Sequence, residues 1–363
     1  MGADDPTLKI TFVLPGTGRV PIGGYKVVYE YANHLSRKGH MVTVVHPARG
    51  CSQQMHLSDY AKNAFRYFEI SLGRAFRPDA WFQIDPNVKL LCVPGLSGRW
   101  IPEGDIIIAT AWFTAQWAKT YSCTKGKRFY LIQHLETWDG NEEEVLATWK
   151  APLQKIVISQ WLLKIANNLG EKAVYIANGL SADEFQIDIR PEERASNSIM
   201  MLYHESSWKG TADGLEALFI ARMQNPKLSI ALFGTSKRPE LLPKWIEYYY
   251  RPERPLLRSL YNQAAIFVAP SLTEGWGLPP SEAMLCGAAV VATDIGGHRE
   301  FAFHNQTSLL SPAKDPQRMA DNILHLINDS ETRVRIAKCG NEYIQQFTWK
   351  RASEKFEEVI CGP

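Results

Sequence analysis

AIFVAPSLTEGWGLPPSEAMLCGAAVVATDIGGHR, residues 265–299, carries two short apolar runs, Ala265–Ala269 and Ala289–Thr293, on either side of a loop and a short helix-forming stretch. Runs of this length without a polar face are the pattern of strands buried in a parallel sheet, and the segment between them suits the crossover helix. The first run ends at Pro270, and the loop after it holds Glu274, Gly275 and Gly277. Pro279 and Pro280 open the helix, where a missing N–H costs little, and Glu282 is expected in its first turn. Ligands of open parallel sheets bind beyond the carboxyl ends of the strands, so this loop is a candidate site. Its glycines let backbone approach an anion, the helix start supplies N–H donors, and the two carboxylates can accept hydrogen bonds from sugar hydroxyls. A solvated loop acid and a helix-stabilising first-turn acid are the plainer alternatives for Glu274 and Glu282.

The alternation of strand-like runs and helical periods extends in both directions. Upstream, strands are predicted at Ile199–Tyr203 and Leu228–Phe233, and downstream helices near Pro316–Asn328, Glu331–Gln346 and Trp349–Val359. A separate series precedes them, with strands at Lys9–Leu14, Met41–His46, Lys89–Val93, Asp105–Ala109, Arg128–Gln133, Ile156–Ser159 and Ala173–Ala177. Its clearest helix runs from Gly24 to Lys38, with Val28, Tyr31, Ala32 and Leu35 on one face and Gly39 as its stop. Between the two series, DIRPEERASNS (residues 188–198) has no periodicity and is the linker candidate. The expected class is α/β, with two Rossmann-like doubly wound domains facing across a cleft. They are placed at 1–184 and 185–347, with a final helix at about 348–363 able to pack back on the first.

A chain of 363 residues is long enough for two such cores, and 45% hydrophobic with 21% charged residues is ordinary for a globular enzyme. No stretch approaches the length of a membrane span, and the start MGADDPTLKITFVLPG lacks a basic n-region, so a cytoplasmic setting is expected. Cys51, Cys92, Cys123, Cys286, Cys339 and Cys361 are scattered without a CxxC pair, which speaks for reduced thiols rather than disulfides or structural zinc. A net charge of +2 gives no global field for nucleic acid, and no nucleic-acid partner is expected. Residues 62–82 mix Lys62, Arg66, Arg74 and Arg77 with Phe65, Tyr67, Phe68, Phe76, Trp81 and Phe82. That mixture is able to make peripheral contact with an anionic membrane surface or hold an acceptor, and the plainer reading is a half-buried helix with solvated arginines.

PGTGRVPIGGYK (residues 15–26) follows the first strand and ends with Gly23 and Gly24 opening a helix, a setting that favours phosphate through backbone N–H groups and the helix dipole. The spacing matches neither GxGxxG nor GxxxxGK[ST].

Glu274 and Glu282, with seven residues between them in EGWGLPPSEAMLCG and followed by VVATDIGG, resemble the signature of the family 4 retaining glycosyltransferases, glycosyl transferases group 1 of the GT-B fold. GGYKVVYEYANHLSRKGHMVTVV is similar to that family's Gly-Gly loop and first helix, VISQWLLKIANNLGEKAVYIANGLSADEF to the segment closing its first domain, and SWKG to the start of its second. The resemblance implies transfer of a sugar from a nucleotide diphosphate donor with retention, no cofactor and no metal. The acceptor is a saccharide, lipid-linked or small molecule that the sequence does not identify. It further implies that Glu274 contacts the donor sugar, Glu282 the ribose hydroxyls, and the amides around Gly277 and Leu278, with Gly275 and Trp276 beside them, the sugar and diphosphate. Lys209 would bind the diphosphate, where an aimed ammonium stabilises the negative charge of the leaving group. His204 stands where the family usually carries an arginine, and a neutral histidine offers one N–H without a full charge. His134, closing the strand RFYLIQH, fits the family's sugar-facing histidine, although the following LETWDG departs from the usual His-Asp. Base contacts are expected from a loop at residues 249–251, including Tyr250 and Arg251. Without an Asp-x-Asp pair, the diphosphate charge falls to Lys209, helix dipoles and amides. By the same resemblance a donor phosphate oxygen takes the acceptor's proton, so no side chain need be a nucleophile. A nucleotide-sugar epimerase, a phosphorylase and a non-catalytic nucleotide-sugar-binding protein share this architecture and stay open.

Overall fold

The computed structural model describes residues 6–48, 67–73, 76–138 and 140–362. The chain divides into two compact units, Met1–Asn178 with Lys350–Pro363, and Gly179–Trp349.

Among the described residues the first unit holds a seven-stranded sheet. Its strands are β1 Lys9–Val13, β2 Met41–Pro47, β3 Lys89–Val93, β4 Ile106–Ala109, β5 Lys127–Ile132, β6 Gln154–Val157 and β7 Ala173–Tyr175, in the order β3-β2-β1-β4-β5-β6-β7. The second unit holds β8 Ser198–Leu202, β9 Ser229–Gly234, β10 Ile246–Tyr250, β11 Ile266–Ala269, β12 Ala289–Thr293 and β13 Ser308–Ser311, in the order β10-β9-β8-β11-β12-β13. All the pairings are parallel. Both sheets are Rossmann-like: strand order runs outward one way, returns to the first strand and continues the other way, leaving a switch point at β1/β4 and another at β8/β11. The apolar runs follow from cover on both faces, since every residue of β11 and of β12 is buried. Helix Gly23–Arg37 buries Val27, Val28, Tyr31, Ala32 and Leu35.

Two strands escaped the sequence reading. β10 occupies Ile246–Tyr250, so residues 249–250 are strand rather than loop; its run of tyrosines, half-buried or exposed, gives no apolar face to detect. β13 spans Ser308–Ser311, a short edge strand with serines at both ends. The charged segment 188–198 is also not a linker but a packed part of the second unit. The buried Arg194 guanidinium donates to the carbonyls of Ile189, Tyr261, Ala264 and Cys286, and Asn262 Oδ1 accepts from the amides of Asp188 and Ile189 at 2.7 and 3.1 Å.

Of the basic and aromatic stretch 62–82, Lys62, Phe65, Arg66 and Arg74 lie outside the described residues. Several of the others turn inward. Phe76 is buried, the Trp81 and Phe82 rings lie 5.8 and 5.4 Å from Tyr29, and Trp81 Nε1 donates to the Gly18 carbonyl at 2.7 Å. Phe68 remains exposed, and Arg77 pairs with Asp79. No helix among the described residues is long and apolar enough to cross a membrane.

The last helix, Trp349–Cys361, completes the first unit's core. Phe356 is fully buried, stacked at 4.0 Å on Tyr31 and at 6.0 Å on Phe12, and Glu357 meets His34 at 2.7 Å and His40 at 3.6 Å. Phe356→Ala removes a stacked aromatic from a closed site, so a loss of about 3–5 kcal/mol is expected in denaturant unfolding. A loss under about 1 kcal/mol would mean the helix is peripheral to that core.

Candidate functional site

Two loops follow the neighbouring strands β8 and β11, and the backbone joins them. Gly210 adopts φ +62°, and a Cβ there would lie 2.0 Å from the Pro270 carbonyl oxygen, so only glycine fits. One residue earlier the SWKG turn presents Lys209, while the Trp208 carbonyl accepts the amide of Leu272 at 2.7 Å. Gly214, in the following helix Thr211–Gln224, is equally constrained, since a Cβ would meet Met201 Sδ at 2.5 Å and Pro270 Cγ at 2.7 Å.

With the loops held together, Lys209 Nζ donates to both carboxylate oxygens of Glu274, at 2.7 and 2.9 Å, and Ser271 Oγ donates to one of them at 2.8 Å. Burial pushes the Glu274 carboxyl up, but the charges of Lys209 and His298 and the bonds from Lys209 and Ser271 outweigh it and hold the group below the usual carboxylate range. His204 Nδ1 accepts the Ser206 amide at 3.0 Å, which leaves the proton on Nε2. Burial first, and then Lys209, hold this imidazole below its ordinary value, so it faces the site neutral.

Helix Leu278–Leu285 starts from Gly277, whose φ of +114° demands glycine, and no side chain caps its first N–H groups. Because the helix begins at Leu278, Glu282 falls in its second turn rather than its first, and it is buried beside Tyr261, whose hydroxyl donates to it at 3.3 Å. Trp276 points inward: it is 2% exposed, its Nε1 donates to Ser281 Oγ at 3.2 Å, and its ring meets Phe347 at 5.0 Å. Any contact it makes with a ligand is therefore through its backbone. At the end of β10 the Tyr250 ring is half exposed, and Arg251, at φ +47°, lies 5.1 Å over it while donating from Nε to the Thr235 carbonyl at 3.0 Å.

Gly23, Gly24 and His134 belong to the first unit. Gly23 is exposed at the start of its helix, and Gly24's carbonyl accepts Gln133 Nε2 at 3.1 Å. In the loop before them Gly18 serves the unit's own packing, since a Cβ would lie 2.2 Å from the Tyr29 hydroxyl and 2.9 Å from the Phe76 carbonyl. The buried His46 supports the same loop by donating from Nδ1 to the Gly16 carbonyl at 3.0 Å, with burial pushing its pKa down to about 4. His134 lies two residues beyond β5, accepts the Leu135 amide on Nδ1 at 2.8 Å, and packs edge-on to Trp138 and Trp161 at 4.2 and 5.6 Å. Ser271, Tyr261 and His298 were not singled out by sequence. For Ser271 and His298 the signal was available in hindsight, since both flank the glycine-rich loops after β11 and β12.

Residues 187–343 match the family model of the glycosyl transferases group 1. This part of the chain, less than half of its length, is similar to that family. An uncharacterized glycosyltransferase of Methanocaldococcus jannaschii is 31% identical over 29% of the chain, a match spanning 30% of that relative's length. Phosphatidyl-myo-inositol mannosyltransferase of Mycobacterium tuberculosis is 23% identical over 97% of the chain and 96% of its own length. The Anabaena protein Alr3699/HepE, solved in complex with UDP-glucose, superposes with a TM-score of 0.73 over 98% of this chain and 100% of its own at 17% identity, which is a likeness of fold. The fold is GT-B, two Rossmann-like units in one chain.

The Lys209–Glu274 pair of the second unit has a pH signature. A carboxyl held lower in the folded chain stabilises it above the unfolded value, about 4.3 for glutamate, and that stabilisation is lost as pH falls through the folded value. The stability gap between wild type and Glu274→Gln is therefore expected to be constant above about pH 5 and to shrink below about pH 4. Urea titrations across that range measure it; a gap independent of pH would show that folding does not depress this carboxyl.

Proposed function

We propose that the protein is a retaining, metal-independent glycosyltransferase that moves a sugar from a nucleoside diphosphate donor to an acceptor hydroxyl. The observation that carries this reading is the Lys209–Glu274 pair at the β8/β11 switch point, at 2.7 and 2.9 Å, inside the segment that matches the glycosyl transferases group 1. An ammonium and a carboxylate at adjacent strand ends divide the chemistry of a leaving diphosphate and a sugar ring that gains positive charge.

In this reading Lys209 turns to the diphosphate, Glu274 faces the transferred sugar, and the free N–H groups at Gly277 and Leu278 hold sugar and phosphate oxygens. Glu282 accepts the ribose hydroxyls. His204 contributes its Nε2–H as a neutral donor, so Lys209 supplies the full positive charge. Tyr250 and Arg251 contact the base, and Gly23, Gly24 and His134 of the first unit serve the donor phosphate and the acceptor side. A donor phosphate oxygen accepts the acceptor's proton. The name of the mycobacterial relative supports a membrane-lipid acceptor and with it peripheral association with a membrane.

Lys209→Ala is expected to lower turnover about 100- to 1000-fold, as for loss of one transition-state donor, in a protein that still folds. Single-turnover kinetics with a panel of nucleotide sugars measure this, and wild-type rates would remove Lys209 from the site. In the same assay turnover is expected to persist in excess chelator, and proton coupling constants should show a product with the donor's anomeric configuration. An inverted anomer would contradict retention, and rescue by magnesium or manganese after chelation would contradict metal independence.

A further inference from the structure

The donor-site reading leaves one buried titratable group without a task. His298 follows β12 and is 1% exposed. Its Nδ1–H donates to the Thr293 carbonyl at 2.9 Å, which leaves the lone pair on Nε2, and Nε2 is buried with no hydrogen-bond partner. An orphaned acceptor in a closed interior costs free energy, so its retention calls for a reason.

The ring lies against the donor loop. A Cβ on Gly277 would be 3.1 Å from His298 Cδ2 and 3.4 Å from Nε2, and one on the preceding Gly297 would be 2.5 Å from the Glu274 carbonyl oxygen. The charged groups that act on it are Glu274 and Lys209 on the two loops and Asp294 on its own, the last already held by Arg299 at 2.6 and 2.9 Å. Phe301 flanks it, 6.0 Å between ring centres. Burial, with Lys209, holds the imidazole below its ordinary value, against the opposing pull of Glu274 and the Thr293 carbonyl. While Lys209 sits on Glu274 the carboxylate is balanced and His298 stays neutral.

We propose that His298 is the reserve cation of this site: when Lys209 leaves Glu274 for a diphosphate, a step that rests on the donor-site reading above, His298 takes one proton from solvent on Nε2 and its charge balances the carboxylate. One N–H bond forms, nothing else breaks, and the proton returns to solvent when Lys209 comes back. The half-buried Glu274 is then never left without a positive neighbour, and donor binding carries a proton with it. His298 is a positioning residue, since it acts through Glu274.

The test first removes the lysine without any ligand. Nitrogen-15 NMR titration of the imidazoles, with His298→Gln to assign the resonance, should show His298 protonating at least tenfold more readily in Lys209→Met than in wild type, a shift of one unit or more. In Lys209→Met/Glu274→Gln that gain should disappear. Should Lys209→Met not fold, Lys209→Gln replaces it, and Glu274→Gln alone should make His298 harder to protonate than in wild type. Equal titration of His298 in wild type and the lysine variant overturns the proposal, whatever the donor site does. Calorimetry with UDP-glucose in buffers of different ionisation heat then reads the coupling. Uptake approaching one proton, lost in His298→Gln, supports it, and binding without uptake overturns it. If UDP-glucose gives no binding heat, the failure lies with the donor reading, and the NMR result still decides the role of His298.

Discussion

The carbonyl oxygen of Pro270 occupies the space where residue 210 would carry a side chain, 2.0 Å from the Cβ position. That single exclusion sets much of the second unit's active end. It fixes the SWKG turn against the loop after β11, which lets the Trp208 carbonyl accept the Leu272 amide and sets Lys209 over Glu274. Strand order makes the encounter possible: only because β8 and β11 are hydrogen-bonded neighbours do loops some sixty residues apart in sequence share one place.

Individual parts of this site were legible from residues 265–299, but their contacts were not. The apolar runs of β11 and β12 and the glycines around Glu274 announce a strand, a loop and a helix start, because burial on both faces and backbone approach leave a local trace. Lys209 and Glu274 each had a place in the reading, yet their ion pair depends on which strands adjoin, a non-local fact. Glu282 was read one turn too early, because the prolines mark the helix start only to within a residue or two, and Leu278 already belongs to the helix. His298 left only its place beside a glycine-rich loop as a signal, since nothing in the local sequence says that its ring is buried against the loop after β11.

The first unit teaches a complementary point. The glycine-rich segment PGTGRVPIGGYK was read as a setting for phosphate, but at Gly18 the space is taken by Tyr29 and Phe76 of the same chain. Gly23 and Gly24 at the helix start remain open to the ligand reading. Similarly, the sequence at 62–82 left a membrane-facing surface and a half-buried helix side by side as readings, and Phe76, Trp81 and Phe82 turn inward, with Trp81 bonded to the Gly18 carbonyl. Alternation of aromatic and basic residues does not say which side of a segment faces water when the partner surface comes from a distant strand.

The helix that closes the chain has a consequence in time rather than in space. Phe12 and Tyr31 sit near the beginning, yet the ring that covers them, Phe356, is synthesised after the whole of the second unit. On a ribosome that emits the amino terminus first, the first unit must wait with that aromatic surface uncovered while the second folds as a continuous segment. Maturation of these two units therefore runs against the order of translation: the core that holds Phe12 and Tyr31 is completed only after Gly179–Trp349 has been made, and a ribosome that stalls before Phe356 leaves that core, rather than the second unit's, open to chaperones and proteases.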